Sequence, residues 1–135
     1  MPTETLPSPP KNFLRSCLLL LLRERAAHGY DLLERLRSFG FKGEDPGRLY
    51  RALRALERED LVRSAWQHSS AGPDRRIYEL TRAGKEDLHQ SATALAATRQ
   101  ALQDFLSRYE EFVALDPAAD AEPAVPVGEP AQDPA

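Results

Sequence analysis

Two segments near the start of the chain have the apolar periodicity of helices. The run from Phe13 to Ala27 is apolar on nearly all sides through Leu22, and such a helix is normally buried from more than one direction. The next segment, Tyr30 to Ser38, predicts a shorter helix with its leucines turned inward. Gly40 and Gly43 then interrupt the pattern, so we expect a turn.

A third helix is predicted from Pro46 to about Glu59. Asp45 is suited to accept hydrogen bonds from the first free amides, and proline suits the first helical position. Asp60 is predicted to end the helix, since aspartate tolerates left-handed backbone better than most residues. At 100° per residue, one side of this helix is apolar and the opposite side is basic. The apolar positions are Leu49, Leu53 and Leu56, and the basic positions are Arg48, Arg51, Arg54 and Arg58.

Two short runs after the third helix are typical of β-strands. They cover Leu61 to His68 and Arg75 to Thr81, and the turn-forming residues 69–74 separate them. We therefore predict a β-hairpin with a loop longer than a tight turn.

A long helix is predicted from Arg82 to about Ala114, with Thr81 as its cap. Its large apolar residues recur every seven positions, which indicates a helix laid against another helix. These residues could instead pack back onto their own domain, but the equally apolar first helix would then lack cover. We favour dimerisation through both helices. The expected contacts are Leu18, Leu21, Leu88, Leu95, Leu102, Phe105, Leu106, Tyr109 and Phe112.

The charge of the chain is unevenly distributed. The 135 residues carry a formal net charge of −3, but residues 116–135 contain five acidic residues and no basic one, so residues 1–115 have a net charge of +2. The acidic end is rich in Ala and Pro and is predicted to be disordered. The positive charge is concentrated in residues 48–82, where it favours an anionic partner such as nucleic acid.

Composition narrows the class of protein. The longest apolar run, Cys17 to Leu22, is too short to cross a membrane, and the N-terminus has no signal-peptide pattern. A single cysteine fits a reducing cytoplasm, and Cys17 is expected to be a small buried residue. His28, His68 and His89 lack zinc-type spacing, and no nucleophile or phosphate-loop signature is found. We therefore expect no metal, no cofactor and no enzymatic activity.

The order of elements predicts the fold class: mainly α with a small β-hairpin, a winged helix-turn-helix followed by a long dimerisation helix. We expect a flexible arm over 1–12, a DNA-binding domain over 13–82, the dimerisation helix over 83–115 and the disordered tail over 116–135. In such a fold the basic face of the third helix enters the major groove, and the hairpin is the wing beside it.

Three motifs resemble one known family. They are HGYDLLERL at 28–36, PGRLYRALRALEREDLV at 46–62 and GPDRRIYELTRAG at 72–84. Their order and spacing look like the PadR family of bacterial transcriptional regulators, in its short form with a single C-terminal helix. The resemblance implies a homodimer on a near-palindromic double-stranded operator, often a repressor released by a small effector. It also implies roles for Gly47 and Tyr50 at the start of the recognition helix, with Tyr50 contacting phosphate.

This sequence departs from the family pattern at two positions. Asp60 stands where glycine is common after the recognition helix, and Arg48 stands where a small residue is common. The arginine predicts an added phosphate or guanine contact, so target specificity cannot be copied from relatives. The full set of expected DNA contacts is Lys42, Gly47, Arg48, Tyr50, Arg51, Arg54, Arg58, Arg75 and Arg76.

Two alternatives remain open from the sequence. The arginine row could be an ordinary solvated helix face, and the chain would then be a winged-helix module that binds protein partners without DNA. Trp66, on the first wing strand, is expected to pack against the hairpin and the neighbouring helix. Its alternative role is to line an effector pocket at the dimer interface, since aromatic rings stack on planar ligands.

Overall fold

A computed structural model describes residues 12–41 and 45–116. The helices are α1 (Phe13–Glu24), α2 (Gly29–Arg35), α3 (Pro46–Arg58) and α4 (Arg82–Leu115), and a 3₁₀ turn (Leu36–Phe39) extends α2. The strands are β1 (Ala27–His28), β2 (Val62–Gln67) and β3 (Arg75–Leu80). The predicted mainly helical fold with a β-hairpin is thus confirmed. Nearly all of the predicted arm and of the predicted tail lies outside the described residues.

The chain divides into two compact units, residues 1–93 and 94–135. The boundary between these units falls inside α4. The first turns of α4 belong to the first unit because Leu88 packs against its core and Asp87 forms an ion pair with Arg15 of α1.

The core of the first unit is built around α1. Six of its twelve residues are buried, and the helix contacts α2, α3 and β3. Leu18 and Leu21, predicted as dimer contacts, are 0% and 4% exposed. That prediction is corrected: the domain itself covers the helix from several sides, so a partner is not needed to explain its apolar character. Leu20 is the exposed leucine on α1.

The predicted helix ends are confirmed for α3 and α4. Asp45 accepts a hydrogen bond from the Gly47 amide at 2.9 Å, and Pro46 is the first helical residue. Asp60 has a φ of 64°, in the left-handed region, and so turns the chain from α3 towards β2. Thr81 Oγ1 accepts a hydrogen bond from the Gly84 amide at 3.0 Å and donates one to the Asp60 carbonyl at 2.7 Å.

Gly84 allows α4 to start directly against the wing. A Cβ there would lie 2.2 Å from the Leu61 carbonyl oxygen and 2.6 Å from Leu80 Cδ1. No side chain fits such a gap, so this glycine sets how closely α4 approaches the base of the hairpin.

The sheet has three strands rather than the two predicted. All pairs are antiparallel in the order β1-β3-β2, and Ala27 pairs with Tyr78. The additional strand, β1, was missed because a strand of two residues has no alternating pattern of apolar and polar positions. The predicted first helix was accordingly too long, since it ends at Glu24 and leaves room for β1.

Candidate nucleic-acid interface

The outer face of α3 is a row of exposed arginines. Arg48, Arg51, Arg54 and Arg58 are all exposed, whereas the leucines of the opposite face are at most 1% exposed. Across residues 12–41 and 45–116, Arg51, Arg54 and Arg58 form no ion pair with a carboxylate. Their charge is therefore available to an external anion. Lys42, another predicted DNA contact, lies outside the described residues.

Tyr50 connects the recognition helix to the start of α2. Its ring lies against Gly29, which is buried, and its own side chain is 37% exposed. A Cβ on Gly29 would lie 2.3 Å from the Tyr50 hydroxyl oxygen. The HGY and GRLY motifs, distant in sequence, thus meet through one aromatic ring.

Arg76 joins the wing to α3. Its Nε donates a hydrogen bond to Ser64 Oγ at 2.9 Å, and a guanidinium nitrogen lies 4.0 Å from the Glu57 carboxylate. Ser64 Oγ in turn donates to Glu57 at 2.6 Å. Because Glu57 is on α3 and the other two are on the wing, this cluster fixes one element relative to the other. Sequence reasoning treated Glu57 only as part of a charged helix end and missed this link, although Glu57 precedes a serine of the next strand by seven residues.

Trp66 stands opposite Arg76 in the register of β2 and β3. The Arg76 guanidinium lies 5.3 Å from the centre of the indole ring, a cation–π contact. The indole is 65% exposed. The expected packing of Trp66 against the hairpin is therefore made through Arg76, with most of the indole left exposed.

Arg75 differs from its neighbour. It begins β3, it is exposed, and among the described residues it forms no ion pair. The acidic residue before it, Asp74, is held by the wing loop, where it lies 3.3 Å from His68 Nδ1 and accepts the Ser69 amide at 3.2 Å. Two adjacent arginines that the sequence grouped together thus have different surroundings.

Tyr78 lies beneath the interface. Burial raises the pKa of its hydroxyl, and nearby Tyr50 and Glu57 raise it further against the opposing effect of Arg76 and Arg54. The phenol therefore stays neutral and acts as a packing residue. It borders a cavity of about 380 Å³ shared with Arg54, Glu57, Arg58 and Arg76.

A second candidate surface lies on the last turns of α4. Five large side chains, each with others of the set three or four residues away, are between 46% and 66% exposed: Leu102, Phe105, Leu106, Tyr109 and Phe112. Three of them border a groove of about 680 Å³. Of the other predicted contacts, Leu88 and Leu95 are both half-buried, and Leu88 packs against the core of its own domain.

Within residues 12–41 and 45–116, no group of histidine, cysteine or carboxylate side chains could hold a metal ion. No helix in the same part of the chain is long and apolar enough to span a membrane.

A basic helix face flanked by a β-hairpin wing is the arrangement of a winged-helix DNA-binding protein. The profile of the transcriptional regulator PadR-like family matches residues 18–90. The chain therefore belongs to the PadR-like family, whose members are DNA-binding transcriptional regulators rather than enzymes.

Solved structures agree with this assignment. A PadR-like transcriptional regulator from Bacillus cereus strain ATCC 14579 is 27% identical, with 71% of this chain and 93% of the other aligned at a TM-score of 0.65. A PadR family regulator from Eggerthella lenta DSM 2243 is 26% identical over 71% and 83% of the two chains, with a TM-score of 0.62. A PadR family regulator from Clostridium difficile R20291, 24% identical over 70% and 98% with a TM-score of 0.63, supports the fold. No curated protein matches the chain.

Proposed function

We propose that this regulator is a homodimer that inserts α3 of each protomer into the major groove of a near-palindromic operator and represses transcription. The observation that carries the proposal is the exposed face of Arg51, Arg54 and Arg58 without carboxylate partners among the described residues. Such guanidinium groups can bind phosphates and guanine edges in bidentate geometry.

The dimer is inferred from the apolar surface of α4. Five exposed large side chains on one helix form the kind of patch that marks a protein interface. Their spacing of three and four residues suits helix-on-helix packing. In a symmetric dimer the two recognition helices would bind half-sites about one helical turn apart, about 34 Å.

The remaining predicted DNA contacts follow from position. The N-terminal turns of α3 contain Gly47, Arg48 and Tyr50. In a recognition helix the N-terminal residues are the ones that approach base edges. Arg75 lies at the start of β3, where a wing meets the backbone. As a DNA-binding regulator, the protein would act in the cytoplasm of a bacterial cell.

The test is DNA binding by anisotropy over a range of salt concentrations, with the intergenic DNA beside its own gene as the duplex. Arg51→Ala with Arg54→Ala should weaken binding, and the slope of log affinity against log salt should fall by about 1.8, since each phosphate contact contributes about 0.9. Arg23→Ala with Arg37→Ala removes the same charge from exposed positions outside α3. Equal losses in both double variants would reject α3 as the reading element.

Repression and its release need separate measurements. A reporter behind the footprinted operator should be repressed by the protein, and scrambling one half-site should restore expression. An effector would have to bind the two states of the protein with different affinity. Trp66 is the only tryptophan, so a ligand that stacks on it would quench the fluorescence of the protein and release the duplex. A ligand panel without either effect would argue against an effector at Trp66.

A further inference from the structure

A cavity of about 300 Å³ lies where α2 begins, beside the flank of α3 and the first residues of β3. It exists because β1 is only two residues long and stops at His28, opposite Ile77. Beyond that point β3 continues to Arg76 and Arg75 without a strand on that side, and α2 starts instead. The residues that line the cavity are His28, Gly29, Tyr30, Tyr50, Arg75, Arg76 and Tyr78.

The lining is suited to an anion that only accepts hydrogen bonds. Of the lining residues, Arg75 carries a guanidinium, and Tyr30, which is 71% exposed, carries a phenolic hydroxyl. None of the described lining residues is an acid. This lining therefore disfavours a metal cation and favours an oxyanion.

The nearby acids are already engaged. Asp31, next to Tyr30, forms ion pairs with Arg25 at 3.0 Å and with Arg35 at 3.4 Å. Asp74, next to Arg75, is held by the wing loop as described above. Among the described residues, neither acid forms an ion pair with Arg75, which lines the cavity.

The wall of the cavity is fixed on two sides. His28 Nε2 is 2.7 Å from Gln67 Oε1, a hydrogen bond that spans the sheet from β1 to β2. An amide oxygen only accepts, so His28 Nε2 carries the proton of this bond. Arg76 is held by Ser64 and Glu57, so of the two arginines Arg75 is the one left for a ligand.

We infer that this cavity is a binding site for one phosphodiester of the DNA backbone, with the Arg75 guanidinium and the Tyr30 hydroxyl as its donors. The inference rests on the proposed function and adds a contact made by α2 outside the recognition helix. Tyr50, on the flank of α3, lies between the cavity and the arginine row. A DNA strand that follows α3 would therefore pass over the cavity. A backbone contact of this kind fixes the position of the protein on the duplex without reading sequence.

Arg75→Gln and Tyr30→Phe test the inference against a matched control. Arg63→Gln removes the same charge from the same hairpin, at a side chain that pairs with Glu79 at 2.8 Å. With the full chain and a duplex of any sequence, Arg75→Gln should weaken binding several-fold and lower the salt slope by about 0.9, as one lost phosphate contact requires. Tyr30→Phe should weaken binding with little change in slope. Arg63→Gln should change the affinity and the salt slope only by the small amount that loss of one distant positive charge causes.

Neutral methylphosphonate at single positions of the footprinted operator identifies the phosphate. At one position the substitution should lower the DNA affinity of the wild type several-fold and leave the affinity of Arg75→Gln unchanged. If Arg75→Gln and Arg63→Gln behave alike, or if no position shows this coupling, the inference is wrong. Such a failure would leave the proposed function standing, because the double variant Arg51→Ala with Arg54→Ala would still have lost affinity for DNA.

Free inorganic phosphate is the other ligand that could present the same oxyanion to this cavity. Melting without DNA, with inorganic phosphate replacing chloride at constant ionic strength, distinguishes the two. Stabilisation of the wild type but not of Arg75→Gln, together with equal salt slopes for both proteins on DNA, would make this a site for a free anion and overturn the assignment to the duplex. Equal melting temperatures with a reduced slope for Arg75→Gln support it.

Discussion

The hydroxyl oxygen of Tyr50 lies 2.3 Å from the point that a Cβ on Gly29 would occupy. The first residue of α2 therefore has to be glycine for the ring on α3 to take its place. The contact sets the position of the recognition helix against α2, and it links two of the motifs by which the sequence resembles its family.

Gly29→Ala should displace Tyr50 and destabilise the domain, by about 1–3 kcal/mol, the usual cost of an overpacked site. DNA affinity should fall as well, because the side chain at the start of α3 moves. Urea denaturation and DNA titration measure the two effects. In a Tyr50→Ala background the same substitution should cost little, and an undiminished cost there would show that the ring is not the cause.

Arg76→Ala should alter the fluorescence of Trp66. The guanidinium covers one face of the indole at 5.3 Å, and its loss exposes that face to water, so emission should shift to longer wavelength. Arg75→Ala, one residue away, is the control and should leave the spectrum unchanged. The exposed cation–π contact should account for about 0.5–1 kcal/mol of the stability cost, and the lost contacts with Ser64 and Glu57 add to it. Identical spectra for the wild type and Arg76→Ala would contradict the contact.

The Cys17 thiol should be unreactive in the folded protein. It is 2% exposed, and burial raises its pKa from an ordinary value of 9.0 to about 12. The thiolate is the reactive species, so at pH 8 labelling by a disulfide reagent should be slow without denaturant and fast in urea. Fast labelling of the native protein would contradict the burial.

The same pKa shift predicts how stability depends on pH. A folded-state pKa above the unfolded value means that the contribution is complete below pH 9 and is lost as the pH rises towards 12. Subtracting the unfolding free energies of Cys17→Ala from those of the wild type isolates this part from other groups. The difference should decrease across that window, and a constant difference would count against it.

Phe105→Glu should convert the proposed dimer into monomers. The side chain is 66% exposed on α4 and borders the groove there, and a charge in an apolar interface is costly. Sedimentation velocity checks the mass, and circular dichroism checks that the helix remains. Gln103→Glu adds the same charge to the same helix at an exposed position outside the groove lining and should leave the mass unchanged. A monomeric wild type at micromolar concentration would reject the dimer itself.

Much of the fold could be predicted because its signals are local. Asp45 and Pro46 mark the start of α3, Asp60 marks its end, and the leucine and arginine positions separate by helical period alone. The wing was predictable from two runs of strand-forming residues on either side of a turn cluster. The two-residue β1 was not, because so short a strand is defined only by its partner in the sheet.

The sequence alone determined the extent of α3 and α4 to within a residue or so, and which face of α3 is basic and which is apolar, because these follow from capping residues, backbone propensity and a fixed angular period. Tertiary structure decided what each surface group is left to do. It buried Leu18 and Leu21 in the core, tied Arg76 to Glu57, and left Arg75 beside a cavity. Burial and ion pairing depend on neighbours that are distant along the chain, and only the packed domain brings those neighbours together.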